Sequence, residues 1–209
     1  MVLLFLCYFK GNKMLQKLLN YLFKKQIFTK DLNEMTPDDF ISKYLLDKCQ
    51  TVVRENLAHD LYNSNNKHWV VKGARQTGKT LGVIFSILYR VLRLRENTDV
   101  YIVSYNKSNS KRIMRIIKDI LLRIQPNIGF KISKNNTENF IIYTSNKIIR
   151  FEVLSLNRYT MRGCESNNCI LFADETSFFD KSYNDALNET MEYILSNSKN
   201  SLFVSTMLG

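Results

Sequence analysis

The sequence is poor in the residues that build disulfide scaffolds, metal centres and fibrous repeats. It has four cysteines, two histidines, two prolines and seven glycines in 209 residues. Cys7, Cys49, Cys164 and Cys169 fall at no disulfide or metal-ligand spacing, so we expect four free thiols in a reducing compartment. No internal repeat or low-complexity segment is present. With a hydrophobic share of 45%, the composition is that of a globular protein and excludes the disordered and fibrous classes.

Long apolar runs are missing as well. The stretch from Val2 to Phe9 is too short to span a bilayer. It also lacks the basic lead and the small-residue cleavage site of a secretory signal. We therefore predict an intracellular protein that makes no use of a membrane.

Negative charge is scarce, because nineteen Asp+Glu face thirty Lys+Arg and leave a formal net charge of +11. A surplus of this size favours a polyanionic partner, since contacts to phosphates release counterions. Solubility alone is the alternative explanation. The charge therefore points toward nucleic acid without establishing it.

Two parts of the chain differ in pattern. Residues 1–66 predict an N-terminal helical segment, and residues 67–209 predict an α/β domain in which short β-branched and aromatic runs alternate with helices. In the first part, leucines at helical spacing predict a helix packed on the core, with docking on a membrane surface or a partner as the alternative. Thr36 followed by Pro37 marks a helix start that would carry Phe40 inward.

In the second part the pattern predicts six strands and three further helices. The strands are expected over residues 69–71, 100–103, 140–143, 148–153, 169–173 and 202–205, and the helices over 80–95, 110–124 and 184–195. Pro126 is expected to end the second of these helices. That helix has isoleucines on one side and basic residues elsewhere, which indicates a solvated face or, as a second option, a surface that tracks DNA.

A complete phosphate-binding loop follows the first strand. The pattern GxxxxGK[ST] is matched by Gly73, Ala74, Arg75, Gln76, Thr77, Gly78, Lys79 and Thr80. The glycines let successive backbone N–H groups point at phosphate oxygens. Lys79 would neutralise the β- and γ-phosphates, and the Thr80 hydroxyl would bind Mg²⁺. The position between a strand and a helix is the context that this motif requires, so we predict ATP and Mg²⁺ as cofactors.

The apolar strand that ends at Asp174 and Glu175 has the Walker B pattern. Burial of such a strand places both carboxylates at the carboxyl edge of the sheet, beside the phosphate loop. Asp174 would bind Mg²⁺ through water, and Glu175 would orient and deprotonate the attacking water.

Three more residues each allow two interpretations of their role. Arg75 could stabilise charge on the transferred phosphoryl group, or it could be a solvated loop residue. Ser205 and Thr206 end the last predicted strand, where their hydroxyls could sense the nucleotide, although a simple strand end fits equally well.

Taken in order, these motifs resemble the ATPase domain of terminase large subunits, the DNA-packaging motors of tailed phages and herpesviruses. The resemblance rests on the arginine early in the phosphate loop, the hairpin over 139–153 leading to Arg162 and Gly163, the Asp174-Glu175 pair followed by aromatics, and Val204-Ser205-Thr206. It covers residues 69–207. It implies a P-loop NTPase fold of the RecA-like type, a three-layer sandwich with a mainly parallel sheet.

The resemblance also implies a function. An ATPase of this kind translocates double-stranded DNA into a preformed capsid, assembles as a homo-oligomeric ring, and works with a portal and a small terminase subunit in the infected host cell. Ser205 and Thr206 would correspond to the coupling motif of the family, and Gln50 is the candidate for its adenine-contacting glutamine. The nuclease domain that usually follows has no counterpart up to Gly209, so we expect the ATPase domain alone, with a sheet that could lack its last strand.

Two alternatives remain at this point. A helicase-like, nucleic-acid-dependent ATPase shares both Walker motifs but needs a second motor domain. A truncated assembly subunit that binds nucleotide without hydrolysing it would leave Glu175 without a role.

Overall fold

We describe the fold from a computed structural model, which places residues 36–40, 68–74, 78–144, 146–154, 168–197 and 199–207. Gln50, Arg75, Gln76, Thr77 and the segment around Arg162 lie outside the described residues. Of the four cysteines, Cys169 is described and is a buried free thiol, as predicted.

The described elements alternate between helices and strands. In chain order they are α1 (Pro37–Phe40), β1 (His68–Gly73), α2 (Lys79–Arg93), β2 (Thr98–Ser104), α3 (Lys107–Ile128), β3 (Lys131–Asn135), β4 (Asn139–Tyr143), β5 (Ile148–Val153), β6 (Cys169–Asp174), a 3₁₀ turn (Thr176–Phe178), α4 (Lys181–Ser196) and β7 (Ser201–Met207).

The strands form one mainly parallel sheet in the order β1-β7-β6-β2-β5-β4-β3. Five strands run parallel to one another, namely β1, β7, β6, β2 and β5, and β4 and β3 extend the sheet beyond β5 by antiparallel pairing. Parallel strands point their carboxyl ends to one edge, so the ends of β1, β7, β6 and β2 lie side by side. Every residue of β2 and of β6 is buried, as expected for strands covered on both faces.

Helices cover the sheet on both sides, which gives the predicted three-layer α/β sandwich. One core cluster joins the sheet to α2 and α3, and it includes Phe40, whose ring meets that of Tyr89 edge-on at 5.3 Å. The second cluster joins the opposite face to α4. The Thr36 hydroxyl accepts a hydrogen bond from the Asp39 N–H, so the predicted helix start and the inward position of Phe40 are confirmed.

One predicted helix end is wrong, and one strand was missed. α3 does not stop before Pro126 but continues to Ile128, because the proline lies in the last turn, where the carbonyl that loses its donor belongs to the exposed Leu122. The helix ends instead at Gly129, in the left-handed conformation with φ 70°, whose N–H donates to the Gln125 carbonyl. β3 was not predicted at all, since its polar sequence Lys-Ile-Ser-Lys-Asn lacks an apolar pattern.

The carboxyl end of α2 is capped by a lysine from a distant part of the chain. Lys147 lies in the turn between β4 and β5 and is only 6% exposed. Its Nζ donates to the carbonyl oxygens of Val91 at 2.7 Å and Leu92 at 2.8 Å, and it also donates to that of Leu94. A cation is favourable at this end of a helix, while burial lowers the pKa of Lys147 to about 8.

We expect Lys147→Met to remove a pH-dependent part of the stability. The pKa of this lysine is about 8 in the folded chain and near 10.5 in the unfolded chain, so the unfolded chain binds more protons between these values. Stability of the wild type should therefore rise relative to the variant as the pH increases through this window, by at most about 3 kcal/mol. Urea denaturation at a series of pH values measures the difference. A stability difference between wild type and Lys147→Met that stays the same at every pH would contradict the prediction.

Candidate nucleotide-binding site

The loop between β1 and α2 lies at the carboxyl edge of the sheet. Gly78 adopts the left-handed conformation, with φ 81°, directly before the first residue of α2. A glycine takes this conformation without steric cost. Gly78 has no side chain with which to cap this helix end, and the first N–H groups of α2 are therefore placed to bind an anion.

Lys79 folds back over this loop. Its Nζ donates to the Gly73 carbonyl at 2.6 Å and to the Ala74 carbonyl at 2.7 Å. The ammonium group therefore lies at the first two residues of the loop, where phosphate oxygens would compete for it. The structure thus brings Gly73, Ala74, Gly78 and Lys79 together as the motif requires.

Thr80 connects the loop to β6. Its hydroxyl lies 3.1 and 3.2 Å from the two carboxylate oxygens of Asp174. β7 separates β1 from β6 in the sheet, so the first turn of α2 reaches across one strand to make this contact. The predicted Mg²⁺-binding pair is therefore in contact, although the two residues are 94 positions apart.

Asp174 is a completely buried carboxyl with an unusual electrostatic environment. Burial raises the pKa of Asp174, and the neighbouring Glu175 raises it further, while the Ser205 and Thr80 hydroxyls and the charge of Arg112 lower it. No described cation lies within ion-pair distance of this carboxylate. A buried carboxylate beside a hydroxyl, without a cationic partner, suits a hard divalent cation, which prefers oxygen ligands.

Glu175 is the only non-glycine among the described residues that has a positive φ, 55° with ψ 44°. A bulky residue in this left-handed region carries strain, which the surrounding structure must compensate. The residue leaves β6 at its carboxyl end and opens the 3₁₀ turn, whose Phe178 N–H donates to the Glu175 carbonyl. Its half-buried position at the sheet edge is where a general base for an attacking water is expected.

Ser205 and Thr206 lie on β7, between the phosphate-loop strand and β6. Ser205 is opposite Val71 and Thr206 is opposite Lys72 in the pairing with β1. The Ser205 hydroxyl is buried and has no hydrogen-bond partner of ordinary geometry, yet it lies near enough to Asp174 to lower the pKa of that carboxyl. Both predicted coupling residues are thus beside the site, and their role stays a prediction.

The fold is similar to that of several solved structures. The fold is similar to the large terminase ATPase domain of Thermus phage P74-26, with 12% identity and a TM-score of 0.56 over 83% of this chain and 71% of that chain. It is also similar to the large terminase of bacteriophage HK97, with 13% identity and a TM-score of 0.52 over 86% and 36%. The chain has the fold of a large terminase ATPase domain.

Another structure with the terminase fold is the large terminase of a thermophilic bacteriophage, with 12% identity and a TM-score of 0.51 over 86% of this chain. The chain spans only 38% of the length of that protein, which has also been solved in complex with ADP. No protein-family model and no curated protein sequence matches the chain. The terminase likeness is therefore one of fold.

The terminase fold brings three further residues to the site that sequence reasoning did not assign to it. Arg112, in the second turn of α3, lies near enough to lower the pKa of Asp174. Tyr105 follows β2 directly, and its ring contacts that of Phe178 beside Glu175. No sequence pattern marks these residues, because Ser104 lies opposite Asp174 only once β2 is known to be the neighbour of β6.

Two features are absent from the described residues of this terminase fold. No described helix is long and apolar enough to cross a membrane. No group of three or more His, Cys, Asp or Glu side chains that could hold a metal occurs among them. A cation bound by Thr80 and Asp174 would therefore need further ligands, which nucleotide phosphates and water supply in phosphoryl-transfer sites.

Proposed function

We propose that this chain is the ATP-hydrolysing domain of a motor that packages double-stranded viral DNA. The observation that carries the proposal is the contact between the Thr80 hydroxyl and the buried Asp174 carboxylate at the end of the phosphate loop. This contact assembles two Walker motifs into one site, on a fold similar to that of large terminases.

Binding would use the residues of the loop. The phosphates of ATP would take the N–H groups that follow Gly78 and the ammonium of Lys79, which would leave the Gly73 and Ala74 carbonyls. Thr80 and Asp174 would hold Mg²⁺, which supplies charge stabilisation at the phosphoryl oxygens when bound. Gln50 is proposed to contact the adenine.

Hydrolysis would proceed by in-line attack of water on the γ-phosphorus. Glu175 accepts the proton of the water as the new O–P bond forms, and the bond to the β-phosphate oxygen breaks, releasing ADP and phosphate. Lys79 and Arg75 neutralise the charge that develops on the phosphoryl oxygens. Strain at Glu175 supports this role, since strained residues cluster at sites where a side chain must be pre-positioned.

Coupling to DNA is proposed to run through β7. Ser205 lies between the strand of the phosphate loop and that of Asp174, and its hydroxyl, which has no hydrogen-bond partner of ordinary geometry among the described residues, could bond to a group that appears when nucleotide binds. Thr206 follows it at the same edge. The net charge of +11 supports DNA as the partner. Packaging would take place in the infected host cell, in a ring of copies together with a portal and a small terminase subunit.

The proposal is tested by Mg²⁺-dependent ATP hydrolysis of the full chain, measured with and without duplex DNA. We expect hydrolysis that duplex DNA accelerates, without separation of the strands. Ser205→Ala should keep the basal rate and lose the acceleration. ATP binding without any turnover would instead favour a non-hydrolysing assembly subunit, and ATP-driven separation of the strands would favour a helicase.

A further inference from the structure

Two large aromatic side chains form an exposed pair at the carboxyl edge of the sheet. The rings of Tyr105 and Phe178 have centroids 5.6 Å apart and planes at 51°. Each side chain remains about two-fifths exposed, at 41% and 42%. The tilted geometry at this distance is that of a favourable aromatic contact, so the pair connects the two segments that carry it.

Tyr105 is fixed by what precedes and follows it. Ser104 is buried in β2 and lies opposite Asp174 in the pairing with β6. Asn106 caps α3 by accepting a hydrogen bond from the Asn109 N–H at 2.7 Å, and the Asn109 side chain donates to the Ser104 hydroxyl at 2.8 Å. Tyr105 therefore projects from a rigid junction between a buried strand and a capped helix. Its hydroxyl makes no hydrogen bond with a described residue.

Phe178 belongs to the turn that holds Glu175 in its strained conformation. Its N–H donates to the Glu175 carbonyl at 3.1 Å, and the Phe179 N–H donates to the Thr176 carbonyl at 3.1 Å. No residue within the 3₁₀ turn itself is buried, while the next residue, Phe179, is anchored in the core against α4. The Phe178 side chain is thus the part of the turn on which an outside residue can act.

We infer that Tyr105 is a positioning residue for Glu175, acting through Phe178. The aromatic contact ties the turn after β6 to the rigid junction after β2, and so keeps the Glu175 backbone in the left-handed region that aims its carboxylate. The inference rests on the proposed function insofar as Glu175 is the general base. It adds the residue that follows β2 to a site whose other residues come from the first turn of α2 and from the carboxyl ends of β1, β6 and β7.

The first test is steady-state ATP hydrolysis by Tyr105→Ala and Tyr105→Phe. Misplacement of a catalytic group by about 1 Å can cost about 10²-fold, so Tyr105→Ala should lower kcat by roughly 10- to 100-fold, with the KM for ATP unchanged. Tyr105→Phe should hydrolyse ATP at the wild-type rate, because the ring and not the hydroxyl makes the contact. Tyr143→Ala is the matched control, since Tyr143 is also 41% exposed and lies at the far end of β4.

A double-mutant cycle examines the route through Phe178. If both rings act as a unit, Tyr105→Ala combined with Phe178→Ala should be no slower than either single variant. Rate losses that multiply would overturn the inference, as would a Tyr105→Ala variant with wild-type kcat. A variant that keeps its basal rate but no longer responds to duplex DNA would overturn it too, and would assign the pair to a DNA-contacting surface.

A second measurement does not depend on hydrolysis. In a chain labelled with ¹⁵N-glutamate, the Glu175 amide signal is the one that disappears in Glu175→Gln. It should shift in Tyr105→Ala and stay in place in Tyr143→Ala and Tyr105→Phe. An unmoved signal overturns the inference even if the wild type hydrolyses ATP. If the signal shifts in Tyr105→Ala but the wild type does not hydrolyse ATP, the positioning role is supported and the proposed function is contradicted.

Discussion

Glu175→Gln is expected to lower the rate of ATP hydrolysis by roughly 10²–10⁴-fold, the range for loss of a positioned general base. Glutamine has nearly the same shape but cannot accept the proton of the attacking water. The residues that would bind phosphate and Mg²⁺ are Lys79, Thr80 and Asp174, and none of them is changed. Nucleotide affinity should therefore stay within a few-fold of the wild type, which separates a chemical defect from a binding defect.

Phosphate release under single-turnover conditions measures the rate of hydrolysis, and titration with a fluorescent ATP analogue measures the nucleotide affinity. Glu192→Gln is the control, because Glu192 is an exposed glutamate on α4. It should hydrolyse ATP at the wild-type rate. If Glu175→Gln retains more than about a tenth of the activity, then the proton is taken by another group and the assignment of Glu175 is wrong.

Asp174→Asn is expected to change stability and Mg²⁺-dependent nucleotide binding in opposite directions. Burial raises the pKa of Asp174, and no described cation lies within ion-pair distance of it, so the buried charge costs stability in the metal-free chain. Asparagine is neutral, and its side-chain oxygen can still accept a hydrogen bond from the Thr80 hydroxyl. The Tm without metal should therefore rise, by about 2–4 °C for each kcal/mol gained in a chain of this size.

With Mg²⁺ and ATP the same substitution should be harmful. A ligand that binds only the folded chain raises its Tm, so the wild type should gain stability when Mg²⁺ is added to ATP. Asp174→Asn should lose that Mg²⁺-dependent gain, because the carboxylate that would hold the cation is gone. Thermal denaturation in EDTA, in ATP with EDTA, and in ATP with Mg²⁺ gives the Tm under the three conditions that the prediction compares. Asp185→Asn, at an exposed aspartate of α4, should behave as the wild type; a destabilised Asp174→Asn chain in EDTA would contradict the prediction.

The sequence was sufficient to predict the architecture because its central parallel strands, β2 and β6, contain continuous apolar runs. β6 is buried at all six positions, and burial of that kind leaves a pattern that is visible without coordinates. The same run places Asp174 at the sheet edge, so its contact with Thr80 followed from the phosphate-loop motif and the strand together. The β4–β5 hairpin was predicted for a similar reason, since its alternating apolar residues face the core.

Other features depend on tertiary contacts that no local pattern reports. β3 is polar and forms because β4 offers it an open edge, with a register shift between Ile132 and Lys134. Glu175 is an ordinary residue in sequence, and its left-handed backbone follows from the turn that begins there. The contact between Tyr105 and Phe178 requires β2 to be next to β6, an order of strands that the sequence alone leaves open.

The two hydrogen bonds of Lys79 to the Gly73 and Ala74 carbonyls have a consequence for the rest of an ATPase cycle. In the proposed cycle they would act as an internal replacement for the phosphate, so departure of ADP would not leave the lysine without a partner or the loop without support. Each new ATP would have to displace the lysine from these oxygens before it is fully bound. Lys79 would then have hydrogen-bond partners in both states, the two carbonyl oxygens without nucleotide and the phosphate oxygens with it. Exchange of nucleotide would be an exchange of partners for a single ammonium group.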